Sequence, residues 1–439
     1  MKVHLVSLGC PKNQVDSELM LGFLARAGAE PAPVEEADCL VVNTCAFIDR
    51  AREESVETIL ELARWKARGP ARHLVVTGCL PQRYGGELLA ELPEVDAILG
   101  TGELDRIVEV VQRLDGRREW VAGAPPGYLY PATAPRRRLA RVPYAYVKIA
   151  EGCDMGCTFC AIPAMRGRHR SRPVADIVAE VEALAAEGVK EVVLVSQDTL
   201  AYGRDRRGEG DFGDLLLALS ETPIPWIRHL YLHPAHVHDR LLAKLARARA
   251  LPYIDLPIQH ADDGILRAMR RGVTRRRMAE VIAGLRSALP GATLRTTVLV
   301  GFPGEDEAAF ETLLEFIEEQ RFDRLGVFTY SREEGTQAAE LDPEVPAEVA
   351  AERSRLVQET QDRLAWERQR ALLGRIVEVL VDGPSQDPAF AWEGRTPGQA
   401  PEIDGVVYFR GSRLAPGRFV PVRIVEVVGY ELVGEPLAR

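Results

Sequence analysis

The apolar positions of the chain fall in runs of five or six, separated by stretches with helical spacing. Val3-His-Leu-Val-Ser-Leu8 reads as a strand, and Val15–Ala27 follows it with the period of a helix. Cys39-Leu-Val-Val-Asn43 is the next strand, with a charged helix near Ile48–Ala67 behind it. His73-Leu-Val-Val-Thr77 precedes a helix near Arg83–Leu92, and Val95–Leu99 reads as a fourth strand. This alternation predicts a parallel sheet with crossover helices over residues 1–115. Residues 116–143, rich in Pro, Gly, Ala and Arg, predict a linker. Within it, Arg136-Arg-Arg138 reads as a solvated run or a contact to phosphate.

The alternation restarts at Tyr144. Strands are predicted at Tyr144–Ile149, Glu191–Ser196, Ile227–Leu232, Tyr253–Ile258, Ala292–Val300 and Arg324–Tyr330, with helices at Val174–Glu187 and His238–Arg247. Six strand–helix units over 144–340 predict a partial (β/α) barrel, whose site lies at the strand carboxyl ends. Gln197, Gln259, His260 and Ser331 follow strands and are expected to ring that site. Val298-Leu-Val-Gly-Phe-Pro-Gly-Glu305 runs into a turn where Gly301 suits close backbone approach to a nucleoside-like ligand; the plain alternative is an ordinary strand-to-helix turn. Pro346–Leu373 has a helical pattern, so residues 341–371 are read as a connecting helix. From 372 to 439 the pattern is short strands between Gly, Pro and Asp, which predicts a small β-barrel of a nucleic-acid-binding type. The expected fold class is α/β with that barrel appended.

Composition changes the picture in two places. The length of 439 residues fits about three domains, and hydrophobic and charged contents of 46% and 27% are ordinary for a globular protein. The start MKVHLVSLGC turns polar too soon for a signal peptide, and no apolar run suits a membrane span, so a cytoplasmic location is expected. There, seven cysteines point to metal or catalysis rather than disulfides. The formal net charge is −10, and residues 372–439 hold nine acids against seven arginines and no lysine. That balance argues against direct nucleic-acid binding and favours a basic protein or a small molecule as partner.

The cysteines fall into two groups. Glu151-Gly-Cys-Asp-Met-Gly-Cys-Thr-Phe-Cys160 carries Cys153, Cys157 and Cys160 as CxxxCxxC. Three thiolates in one short loop can hold three irons of a cubic iron–sulfur cluster and leave the fourth open. Zinc is the rival, but structural zinc wants four ligands in CxxC pairs, and no second pair lies nearby. Cys10, Cys45 and Cys79 each follow a predicted strand, at the rim where parallel sheets bind ligands, so the three are expected to converge on a second cluster. Each alone also fits a buried strand-end cysteine. Cys39 opens its strand and reads as core.

The CxxxCxxC loop resembles that of radical S-adenosylmethionine enzymes. With the three spaced cysteines upstream and a terminal barrel that resembles a TRAM domain, the whole chain resembles the methylthiotransferases. Ser7-Leu-Gly-Cys-Pro-Lys-Asn13, Leu294-Arg-Thr-Thr-Val298, Asp323–Ser331 and Gln399-Ala-Pro-Glu-Ile-Asp-Gly405 resemble the group that modifies an aspartate of small-subunit ribosomal protein twelve. Gln14, and Arg332 in place of an expected proline, depart from the group's phrases. The resemblance implies two 4Fe–4S clusters, one on Cys10, Cys45 and Cys79 and one on Cys153, Cys157 and Cys160. It also implies S-adenosylmethionine as methyl donor and radical source, with Phe159, Gln197, Gln259 and Gly301 near it; Phe159 fits a core aromatic equally well. The implied partners are the ribosomal protein and an electron donor such as flavodoxin or ferredoxin. A sister group modifies tRNA adenosine, and a rival from another class is an iron–sulfur electron carrier joined to an RNA-binding module.

Overall fold

The computed structural model describes residues 1–114, the backbone of 119–121, and residues 126–410 and 414–437. The first unit is a six-stranded parallel sheet in the order β2-β1-β3-β4-β5-β6. Its strands are β1 (Lys2–Ser7), β2 (Glu30–Pro31), β3 (Cys39–Thr44), β4 (His73–Gly78), β5 (Ala97–Leu99) and β6 (Glu119–Val121). Every residue of β3 is buried, as expected when helices cover both faces of a parallel sheet. The helices are α1 (Pro11–Arg26), α2 (Asp49–Arg68), α3 (Cys79–Glu91, broken at Gly85) and α4 (Ile107–Arg113). Strands β2 and β6 escape the sequence pattern because two or three residues carry no readable period. Helix α1 starts directly after Cys10, with Pro11 at its first position, four residues before its apolar period becomes visible.

Part of the expected linker is strand β6, while its stretches 116–118 and 122–125 lie outside the described residues. Arg136 in the remainder is neither solvated nor free for phosphate. Its guanidinium donates to Glu18 Oε2 at 2.8 Å, Glu180 Oε1 at 2.6 Å and Tyr146 O at 2.7 Å, stitching the segment to the two units it joins.

The second unit contains the six expected strands, β7 (Tyr144–Lys148), β10 (Glu191–Val195), β11 (Trp226–His229), β12 (Tyr253–Asp255), β13 (Thr293–Val300) and β14 (Arg324–Thr329). A small hairpin of β8 (Ala150–Glu151) and β9 (Arg170–Ser171) follows β7, with α5 (Ile162–Arg166) in the segment between. The strands form two parallel three-stranded sheets, β11-β10-β7 and β12-β13-β14. The Leu232 N–H donates to Asp255 O at 2.9 Å and bridges them into one curved, open wall. Helices α6 (Val174–Ala186), α7 (Phe212–Ser220), α8 (Asp239–Leu245), α9 (Asp263–Ala268), α10 (Arg275–Ala288) and α11 (Glu307–Gln320) alternate with the strands. The outer faces of strands and helices share one core that includes Val192, Ile227, Val298, Phe310 and Phe316.

Helix α12 (Ala347–Arg370) leads to a closed barrel in the order β15-β16-β17-β19-β18. Its strands are β15 (Ile376–Pro384), β16 (Trp392–Arg395), β17 (Val407–Phe409), β18 (Phe419–Val428) and β19 (Glu431–Pro436). This barrel closes the amino-terminal mouth of the six-stranded wall. Arg395 donates to Glu191 Oε2 at 2.6 Å, Arg228 to Pro397 O at 2.9 Å, and Tyr253 Oη to Asp404 Oδ2 at 2.7 Å. Ala400 joins a core with Tyr146, Val193 and Tyr253. The Gln399–Gly405 phrase is thus a plug inside the lower end of the wall.

Candidate functional site

Cys10, Cys45 and Cys79 follow β1, β3 and β4, which are neighbours in the sheet, so all three meet at one rim. Asn13 binds the loops together: its Nδ2 donates to Leu8 O at 3.0 Å and to Thr44 O at 2.9 Å, and the Cys79 Sγ lies 3.9 Å from its Oδ1. Gly9 allows the approach, because a Cβ there would stand 2.7 Å from the Cys45 Cβ. Burial pushes the Cys79 thiol up to about 12, against the pull of Arg166 and with a push from Cys10 and Cys45. Burial raises the Cys45 thiol as well, again with Cys10 nearby. Cys39 is fully buried in the core, as its place in the sequence suggested.

Cys153, Cys157 and Cys160 lie in the connection between β8 and β9. The loop is pinned by its own backbone. Cys153 N–H donates to Gly167 O at 3.1 Å, Thr158 N–H to Met269 O at 3.2 Å, and Ala338 N–H to Thr158 O at 2.9 Å. Arg271 Nη1 lies 3.3 Å from Cys157 Sγ. Burial pushes Cys153 up to about 11 and Cys160 to about 12, and each also feels Cys157. Among the described residues, no three His, Cys, Asp or Glu side chains are close enough to hold a single metal ion. Three thiols at each place match the ligand count of a cubic cluster with one open iron, whereas structural zinc takes four ligands.

Between the trios lies a buried network of charges. Lys148 pairs with Asp16 and with Glu151 Oε2 at 2.7 Å. Arg166 Nη1 reaches Asp16 Oδ2 at 2.8 Å and Glu151 Oε2 at 3.3 Å, while its Nη2 donates to Asn13 Oδ1. Gln197 Nε2 completes the shell on Glu151 Oε1 at 2.7 Å. Burial alone would raise the Glu151 carboxyl, but Lys148 and Arg166 hold it far below the usual range. A further contact between the units is at the far edge of the wall, where Arg83 Nη1, which also donates to Ala46 O of its own unit at 2.9 Å, donates to Glu333 Oε2 at 2.8 Å. The N-terminal sheet thus touches the chain beyond both edge strands, β7 and β14.

The other expected site residues divide. Gln197 stands at the site, and among the described residues its buried Oε1 finds no hydrogen-bond partner, leaving an acceptor free. Gln259 follows β12 with a left-handed φ of 71°, its N–H on Thr297 O at 2.9 Å; such strain in a non-glycine residue gathers at functional sites. Phe159 packs edge-on against Phe302, with ring centres 6.5 Å apart. Gly301 has its close approach inside the protein, since a Cβ there would stand 2.5 Å from Ala350 Cβ of α12. Its N–H donates to the buried Glu305 carboxylate at 3.1 Å. His260 is fully buried, with Nε2 3.3 Å from the same carboxylate. Ser331 Oγ lies 3.0 Å from Asp49 Oδ2 and 2.6 Å from Glu333 Oε1, with one hydroxyl proton to share between them. Sequence reading missed Asp16, Lys148 and Arg166. Their only signal was charge at positions where a buried helix and a buried strand want apolar side chains.

Comparison with known proteins agrees with this layout. Residues 2–100 match an uncharacterised protein family, UPF0004; residues 147–317 match the radical SAM superfamily; residues 373–437 match the TRAM domain. Among solved structures, a radical S-adenosylmethionine methyltransferase, TsrM, from Kitasatospora setae has a similar fold, with a TM-score of 0.56 at 16% identity over 74% of this chain and 72% of that one. The ribosomal protein uS12 methylthiotransferase RimO of Pelotomaculum thermopropionicum is 48% identical across 99% of both chains. The protein of the same name from an Anaeromyxobacter species is 48% identical over 100% of this chain and 94% of its own. With that identity over its full length, the chain belongs to the ribosomal protein uS12 methylthiotransferase family of radical S-adenosylmethionine enzymes.

Proposed function

We propose that this protein adds a methylthio group to the β-carbon of an aspartate in ribosomal protein uS12. The observation that carries this reading is the pair of thiol trios, Cys10/Cys45/Cys79 and Cys153/Cys157/Cys160, set on two units that one buried network locks together. Each trio would hold a 4Fe–4S cluster with one iron open to a further ligand. What the clusters supply when bound is hydrogen abstraction by a radical made from S-adenosylmethionine, and a sulfur that is methylated and transferred.

The chain's own residues provide the rest. Asn13 and Gly9 draw the loops of the first trio together, and the pinned β8–β9 connection presents the second. Arg166 and Lys148 neutralise Asp16 and Glu151 in the dry space between them. Gln197 offers a free carbonyl oxygen to a bound ligand, and the strained Gln259 lines the same rim. The plug at the opposite mouth closes the wall from below, so a substrate enters from the thiol side. We assign the work as sulfur site in residues 1–115, radical site in 144–340, and barrel in 372–439.

The excess of acid over base in that barrel supports a basic protein as substrate and speaks against tRNA. No helix among the described residues is long and apolar enough to cross a membrane. We place the protein in the cytoplasm, where ribosomal protein and a flavodoxin- or ferredoxin-like electron donor are available. The test is the mass of a uS12 peptide after anaerobic reaction with the reconstituted protein. A methylthio increment on aspartate is expected; an unmodified peptide beside modified tRNA would reverse the reading.

A further inference from the structure

Lys12 is a buried cation at the mouth of the wall, and only 8% of it is exposed. It sits two residues after Cys10, on the first turn of α1. Its Nζ donates to Ser196 O at 3.3 Å, just past β10, and lies 4.0 Å from the centre of the Tyr231 ring, just past β11. Among the described residues no carboxylate pairs with it. The neighbouring cations are compensated: Lys148 and Arg166 by Asp16 and Glu151, and Arg295 by Asp255 at 2.9 Å. A buried charge without a counter-charge is costly, so its retention asks for an anion that arrives from outside.

The surroundings are built to hold that ammonium in place. Tyr231 takes a left-handed φ of 64°, a conformation that costs a non-glycine residue energy and persists where the surroundings enforce it. Its N–H donates to Asp255 Oδ2 at 2.9 Å, and the other oxygen of the same carboxylate takes Arg295. Arg295 belongs to the inner face of the wall, shared with Gly326, Thr297 and Phe328. Phe328 is 51% exposed, so this inner face has room for a ligand. Lys12 thus sits where the sulfur-site side meets Tyr231, which the Asp255 carboxylate ties to Arg295 of the inner face.

We propose that Lys12 receives the carboxylate of the aspartate to be modified, as a substrate-binding residue that holds the β-carbon between the two thiol trios and selects aspartate over uncharged side chains. This rests on the reading of a protein aspartate as substrate. An ammonium that merely offset charge at Cys10 would be indifferent to the side chain offered.

The test uses full-length protein reconstituted with iron and sulfide under anaerobic conditions. Two labelled peptides of the uS12 target loop, one with the aspartate and one with asparagine in its place, are titrated by fluorescence anisotropy. Wild type should bind the aspartate peptide about tenfold more tightly, the scale of one hydrogen bond to a charged group. K12R should keep the preference, and K12M and K12Q should reduce it to about twofold or less. A preference of about tenfold surviving in K12M or K12Q would overturn the proposal, as would equal binding of both peptides by wild type. Loss of iron from both neutral variants would assign the ammonium to the cluster instead and overturn it too. Wild type binding neither peptide would sink the uS12 reading itself, an outcome distinct from binding without preference.

Discussion

Arg166 Nη1 stands 2.8 Å from Asp16 Oδ2, so the helix that follows Cys160 is fastened to the helix that follows Cys10. Both side chains are buried; Asp16 also pairs with Lys148, and Arg166 with Glu151. Fixed geometry between two reacting centres is what a transfer between them requires, since small misplacements cost large factors in rate. R166A should lower the stability of the protein by about 3 kcal/mol, because it removes one of the two cations that compensate the buried Asp16 and Glu151 and leaves Lys148 alone against both. Denaturant unfolding followed by circular dichroism reads this. A loss under about 0.5 kcal/mol would mean that the network is incidental.

The two trios should separate genetically. Replacing Cys10, Cys45 and Cys79 by alanine should preserve release of deoxyadenosine from S-adenosylmethionine and abolish the methylthio product. Replacing Cys153, Cys157 and Cys160 should abolish deoxyadenosine release. Chromatography of the reaction mixture checks both, and methylthio product from the first variant would remove the sulfur-site role. Iron analysis should give two cubane equivalents for the wild type and one for each triple variant.

Acid should loosen the small barrel through Glu191. Burial alone would raise this carboxyl, but Arg228 and Arg395, each 2.6 Å away, hold it below the usual range. A depressed folded-state value means that the contribution is complete above the ordinary glutamate value of about 4.3 and fades as pH falls through the folded one. E191Q should therefore be much less stable than wild type at pH 7, and the gap should narrow as the pH is taken well below 4. A gap that stays constant with pH would show that the ionised carboxylate is not the anchor.

Removing residues 373–439 should uncover the lower mouth of the wall. Tyr253 and Tyr146 would lose Asp404 and Glu402, their hydroxyl partners at 2.7 and 2.9 Å. The truncated protein should melt earlier and bind a hydrophobic dye. An unchanged melting temperature would show that the barrel rides on the wall without supporting it.

The anchoring also bears on how a substrate docks. The barrel is fastened at the amino ends of the strands, and the thiols lie at the carboxyl ends. Strands of this length span about 20 Å. A partner held on the barrel's outer face must therefore be large or extended enough to reach around the wall, as a ribosomal protein is and a small molecule is not.

Much of this was legible in the sequence. The apolar runs at β3 and β4 alternating with helical stretches pointed to a parallel sheet, and the position of Cys10, Cys45 and Cys79 just past strand ends placed them on one rim. Local periodicity and the spacing of residues along one loop suffice for such statements, because they depend only on neighbours in the chain. Arg136, Asp16, Lys148 and Arg166 were not legible in that way. A charged residue reads as solvated until its partner, more than a hundred residues distant in the case of Asp16, is brought beside it. The same holds for Gly301, whose neighbour proved to be Ala350, and for the Gln399–Gly405 phrase, which resembled a family's signature and turned out to fill the mouth of the wall. The sequence by itself determined the main strands and helices and which thiols lie at one rim or in one loop. Tertiary structure decided which charges are buried and what faces what, because burial and pairing arise only when distant segments exclude water from between them.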